Sequence, residues 1–267
     1  MMRDDGPMHV QREEVGETAT DETTSTDNAP LTHPYPRVTS FRSRRAALSG
    51  SQRETWDRRW PEVGMQARDS DGRPAGILDT EAWFDRSAPL ILEIGCGTGV
   101  STVAMAAAEP DLDVIAVEVY RRGLAQLLTG VDRDGLTNVR LIRGDGIDVL
   151  EQMLVAGSLT GVRVFFPDPW PKARHHKRRL LQPDTMALIA DRLRPGGILH
   201  AATDHADYAE HIAEVGDAEP GFRRVTAEDA ETVAALPISV RRPVTKYEGK
   251  AQRAGSAVAE LLWEKRR

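Results

Sequence analysis

The sequence predicts an α/β fold: a mostly parallel, seven-stranded sheet with helices on both faces. Three observations carry that expectation. Short apolar runs alternate regularly with helical stretches between Leu90 and Val215, the first run is followed at once by a glycine turn, and four successive runs end in carboxylates. Alternation of this kind builds a parallel sheet through right-handed crossovers. Ligands then sit beyond the carboxyl ends of the strands.

Residues 1–36 are rich in Thr, Glu, Asp and Pro and poor in large apolar side chains, so they cannot recover the entropy lost on ordering. They are expected to be a disordered acidic tail. Residues 37–267 are expected to form the working domain. The tail's eight acids against Arg3 and Arg12 account for the whole formal charge of −6. The rest of the chain is electroneutral, so the acidic pI does not exclude a polyanionic partner. From Arg37 to Trp60 the sign reverses, with seven arginines against Glu54 and Asp57. This basic arm includes a helix from Ser49 to Trp60, anchored by Trp56 and Trp60 and ending before Pro61. Residues 64–76 read as a polar loop.

Leu90–Ile94 is the first strand, turned by Gly95, Gly97 and Gly99 into a small-residue helix over Ser101–Ala108. Val114–Val119 follows, carrying Glu118 at its end, with a helix over Arg121–Leu128. Val139–Ile142 leads to Gly144 and Asp145, then a helix near Ile147–Val155. Val162–Phe166 is the fourth strand. Pro167, Pro169 and Pro171 then forbid both helix and ladder pairing, so Asp168 stands on a stiff extended arm. Pro183 opens a helix as its first residue and carries it to Leu193. A turn over Arg194–Gly197 feeds the strand Ile198–Ala202, which ends at Thr203 and Asp204. A helix over Ala206–Val215 and strands near Phe222–Val225 and Val258–Trp263 complete the set.

Cys96 is the only cysteine, which excludes an intrachain disulfide and a cysteine-based zinc site. His175 and His176 lack an evident third ligand, so no metal is expected. No apolar run approaches the length of a membrane span, and a soluble, cytoplasmic chain, monomer or homodimer, is expected.

The glycine turn separates ligand classes. A dinucleotide fingerprint wants a third glycine where Val100 stands, and Glu93 beside the turn is ill placed to receive a pyrophosphate. A carboxylate there suits a cationic ligand. LEIGCGTG resembles the first motif of the class I S-adenosylmethionine-dependent methyltransferases, which implies a Rossmann-like fold with S-adenosyl-L-methionine as cofactor. By that resemblance Gly95, Gly97 and Gly99 approach the methionine part, with Glu93 beside it. Glu118 would take the ribose hydroxyls and Asp145 the adenine amino group.

Within that class, FFPDPWPKARHHKRRLL closely resembles the signature of the bacterial tRNA (guanine-N7-)-methyltransferases. SGSQRETWDRRWP, TDHADYAEH and RPVTKYEGKAQRAG extend the resemblance over nearly everything after residue 40. It implies that Asp168 is catalytic and cofactor-adjacent. Lys172, Asp204, Thr245, Lys246, Tyr247 and Glu248 would contact substrate, while Arg174, His175, His176, Lys177, Arg178 and Arg179 contact RNA. Gly146 departs from the alanine usual there, and Gly249, Ala251 and Ser256 depart from the usual loop after TKYE. The implied activity is methyl transfer to N7 of a guanine in tRNA, by resemblance the variable-loop guanine. Transfer to an exocyclic amino group, or non-catalytic RNA binding, are the alternatives at this point.

Overall fold

A computed structural model describes residues 47–226, 233–243 and 257–267. Thr245, Lys246, Tyr247 and Glu248, the departures at Gly249, Ala251 and Ser256, and the acidic tail all lie outside the described residues.

Eight strands form one sheet in the order β1-β4-β3-β2-β5-β6-β8-β7. They are β1 Gly64–Gln66, β2 Leu90–Ile94, β3 Asp113–Glu118, β4 Val139–Arg143, β5 Leu159–Phe165, β6 Leu193–Thr203, β7 Phe222–Val225 and β8 Ala259–Lys265. All neighbours run parallel except those of β8, which is antiparallel to both β6 and β7. Every residue of β2, β3 and β5 is buried, as a sheet covered on both faces requires.

The helices α1 Gly50–Val63, α3 Val100–Ala108 and α4 Arg121–Arg133 supply one face, where Trp56, Ala106 and Leu124 meet Ile91 and Ala116. The short α2 Thr80–Phe84 joins α5 Gly146–Gln152, α6 Pro183–Arg192 and α7 Ala206–Ala218 on the other. There Phe84, Leu150, Met186 and Tyr208 cover Leu92, Ile115 and Val164. Alternate side chains of each strand thus enter two separate cores. Among the described residues no helix is long and apolar enough to cross a membrane.

The sheet has eight strands where seven were expected. The extra one, β1, falls in the stretch read as a polar loop and pairs with the edge of β4 over three residues. None of its three residues is fully buried, so it carries no apolar alternation to betray it. Helix α1 continues through Pro61 to Val63. A proline one turn from a helix end forfeits a single bond, and the Gly64 N–H donates to the Trp60 carbonyl to close the terminus. Trp56 and Trp60, one turn apart, stack at 4.0 Å. The Arg194–Gly197 turn is instead an irregularity inside β6, marked by Gly196 at φ 79° and a register shift against β5.

Candidate active site at the strand ends

The glycine turn is pinned to the neighbouring strand, because the Gly95 and Cys96 amides donate to the Val117 carbonyl at 2.9 and 3.1 Å. Gly95, Gly97 and Gly99 all have φ between 58° and 77°, a region a side chain rarely tolerates. Glu118, the last residue of β3, folds back under this turn. Its Oε2 accepts from the Gly97 amide at 3.0 Å, and Oε1 accepts from the Val119 and Tyr120 amides at 2.7 and 3.0 Å. Burial raises its pKa while these three amides oppose the rise. The carboxylate is therefore oriented before any ligand arrives.

Asp145 caps α5 by accepting from the Ile147 amide at 3.0 Å. Glu118, Asp145, Asp168, Phe166 and Leu180 line one cavity with Gly95 of the glycine turn, while Gly99 lines a separate hollow beside α1. Asp168 is exposed on the arm beyond β5, close enough to Glu118 to raise the latter's pKa further. Asp204 is exposed one residue past β6. Three of the four strand-end acids thus share one hollow, with the fourth at the end of the next strand.

Phe166 and Trp170, on either side of Pro167–Pro169, have φ of 51° and 44°. Left-handed backbone at two bulky residues costs of order 1–3 kcal/mol each and persists where the surroundings enforce it. Trp170 is buried, with the Arg178 guanidinium over its ring at 4.8 Å and His175 edge-on at 5.8 Å. The basic run is a 3₁₀ helix over Ala173–Arg178 with Lys172 as its cap. Lys172, Arg174 and Lys177 are exposed, His175, His176 and Arg178 half-buried.

Two predicted site residues stand elsewhere. Arg179 is buried, so it does not join the exposed cations beside it. Glu93 is 2% exposed and faces the α3 side of the sheet, with burial pushing its pKa up to about 6. Its Oε2 has no partner among the described residues. Its register partner Arg163 is fully buried and paired with Glu109 at 2.6 Å. A Glu109 oxygen also accepts from the Ser239 amide, and Arg163 donates to the Ser239 carbonyl at 3.0 Å.

Sequence reasoning missed four contributors. Gly123 lets α4 press on the turn, since a Cβ there would lie 2.3 Å from the Gly97 carbonyl oxygen. Leu180 and Phe166 supply the apolar wall of the cavity. Arg242 sits 4.8 Å over the Phe166 ring while its guanidinium pairs with Glu260 at 2.8 Å. Gly123, within the first turn of a helix, was the one signal legible in advance.

A family model described as "Putative methyltransferase" matches residues 87–261. The chain is 71% identical over 239 residues to a tRNA (guanine-N(7)-)-methyltransferase of Mycobacterium sp. (strain KMS), covering 90% of this chain and 85% of that one. It is 64% identical to the protein of that name from Mycolicibacterium gilvum (strain PYR-GCK), covering 99% of both. A 16S rRNA methyltransferase structure, KamB, superposes with a TM-score of 0.50 at 17% identity, over 75% of this chain and 99% of that one. The last likeness is one of fold.

Proposed function

The chain belongs to the tRNA (guanine-N(7)-)-methyltransferase family, and from that premise we propose that it methylates N7 of a guanine in tRNA, using S-adenosyl-L-methionine. By the resemblance already described, the target is the variable-loop guanine. The observation that carries this reading is the convergence of Glu118, Asp145 and Asp168 on one cavity beside the glycine turn.

The residues fit the cofactor. Glu118 is fixed by three amides and keeps a lone pair on Oε2 for a ribose hydroxyl, and Asp145 stands beside it for the adenine amino group. The glycine turn admits the methionine part, and the unpartnered Glu93 oxygen places negative charge behind the turn, where a cationic ligand is favoured. When bound, the sulfonium supplies the methyl electrophile.

Guanine N7 already presents a lone pair, so this chain has no proton to remove before attack. With the donor bound, its methyl would pass to N7, the S–C electron pair would stay on sulfur and the positive charge would pass to the purine. Asp168 accepts from the guanine N1 and amino hydrogens and favours the developing cation, with Asp204 sharing that task. Catalysis then rests on placement and on fixed charge. In A-form RNA the groove carrying N7 is too deep and narrow for side chains, which favours a guanine in a loop or turned outward. Lys172, Arg174, Lys177 and Arg178, with the histidines, grip the surrounding phosphates. Thr245, Lys246, Tyr247 and Glu248 complete the substrate side, the domain begins near residue 37, and the cytoplasm holds the substrate.

The test is to incubate the protein with labelled donor and unmodified tRNA and to map the new methyl. A 7-methylguanosine supports the reading, while a methylated exocyclic amine or no transfer overturns it. Asp168→Asn should abolish most transfer while donor binding persists. Normal rates in that variant would remove Asp168 from its role.

A further inference from the structure

We infer that Arg179 is a positioning residue, which fixes the Asp168 arm against α7 and so sets how Asp168 and Asp204 meet the guanine. This rests on the reading of those two acids as the base-facing pair. By sequence Arg179 is one more cation in a basic run; in the fold its side chain is 1% exposed and cannot reach a phosphate.

What the guanidinium holds defines its work. Its Nε–H donates to the carbonyl of Pro169 at 3.0 Å, the residue directly after Asp168. Its Nη2 is hydrogen-bonded to Asp207 in the first turn of α7, three residues beyond Asp204. The same nitrogen lies 3.1 Å from His176 Nε2, and since arginine only donates, that ring nitrogen accepts. The guanidinium also lies 4.9 Å over the Tyr208 ring. One planar fork therefore ties the arm, the 3₁₀ helix and α7 together.

The arm has need of such a tie. Pro167, Pro169 and Pro171 carry no N–H, so carbonyls are the handles by which their backbone can be held. The arm also runs between left-handed Phe166 and Trp170, a strained path that relaxes unless it is over-determined. Around Arg179 the fastening continues, with the Leu181 amide donating to the Tyr208 hydroxyl at 3.1 Å and the His211 ring 3.1 Å from the Leu181 carbonyl oxygen. An ammonium in place of the fork keeps the charge and loses the geometry.

The full-length enzyme is compared with Arg179→Lys, Asp207→Asn, their double variant, Arg178→Ala and Asp168→Asn. Turnover at saturating tRNA, donor affinity and the salt dependence of tRNA binding are the readouts. Misplacing a reacting group by about 1 Å costs on the order of 10²-fold, and a fall of that order in kcat is expected for Arg179→Lys. Its tRNA affinity, salt slope and donor affinity should match the parent, and the double variant should be no worse than Arg179→Lys alone. Arg178→Ala should instead lower the salt slope by about one. If Arg179→Lys keeps its kcat, or lowers the salt slope as Arg178→Ala does, the inference is overturned. If Arg179→Lys does not fold, Asp207→Asn decides, because its side chain is exposed: reduced kcat with an unchanged melting temperature supports the tie, and unchanged kcat refutes it. An inactive Asp168→Asn beside an unaffected Arg179→Lys sinks this inference alone, whereas a fully active Asp168→Asn sinks the reading of the site beneath it.

Discussion

Glu93→Gln should make the protein more stable at pH 8 and leave it little changed near pH 4.5. Glu93 is buried, desolvation outweighs the attraction of Arg163, and its pKa rises from 4.5 to about 6. The folded state therefore binds the proton more tightly than the unfolded state. Stability from this group is fully present below about pH 4.5 and is lost as pH rises through 6. At about 1.4 kcal/mol per pKa unit, the ionised carboxylate costs the fold about 2 kcal/mol at pH 8. Glutamine keeps the shape but never ionises. The gain should thus grow between about pH 4.5 and 6.5 and then level, reaching a rise in melting temperature of roughly 4–8 °C. Urea and thermal melts of both proteins across that range measure it. A difference that stays constant with pH, or a variant less stable than the parent at pH 8, would refute the reasoning. Donor affinity should move the other way, because the substitution removes the negative charge behind the glycine turn.

Further outcomes follow from the same geometry. Gly99→Ala places a Cβ 2.4 Å from Leu127 Cδ1 at a residue with φ 75°, so a loss of about 1–3 kcal/mol and weaker donor binding are expected in melts and in titration with donor. Neutralising Lys177 and Arg178 together should weaken tRNA binding, make its salt dependence shallower by about two, and leave donor affinity unchanged; filter binding across a salt series reads all three. An equal loss of donor affinity would point to misfolding.

Much of the site was legible because its signals are local. Gly95, Gly97 and Gly99 announce a turn through backbone freedom, and the prolines around Asp168 announce a stiff arm through the missing N–H. Glu118, Asp145, Asp168 and Asp204 take their places from a simple rule, that a parallel sheet presents the carboxyl ends of its strands on one side. Edge strand β1 escaped because three partly exposed residues carry no pattern. The irregularity at Gly196 escaped because a glycine turn and a glycine bulge share one composition.

The alternation of strands and helices, the glycine turn and the acids at the strand ends are legible in the chain alone, since each depends on residues a few positions apart. Which charges meet water and which meet one another is settled by the packing of distant segments. Arg179 and Arg178 are neighbours of identical chemistry, yet Arg179 finds Asp207 on α7 and is buried while Arg178 lies half-buried across Trp170. Arg163 and Glu93 fall in strands whose pairing no local pattern reveals, and Ser239 closes the Arg163–Glu109 pair from 76 residues away. Burial of a charge is settled by partners brought from afar, because desolvation is tolerable only where those partners already stand.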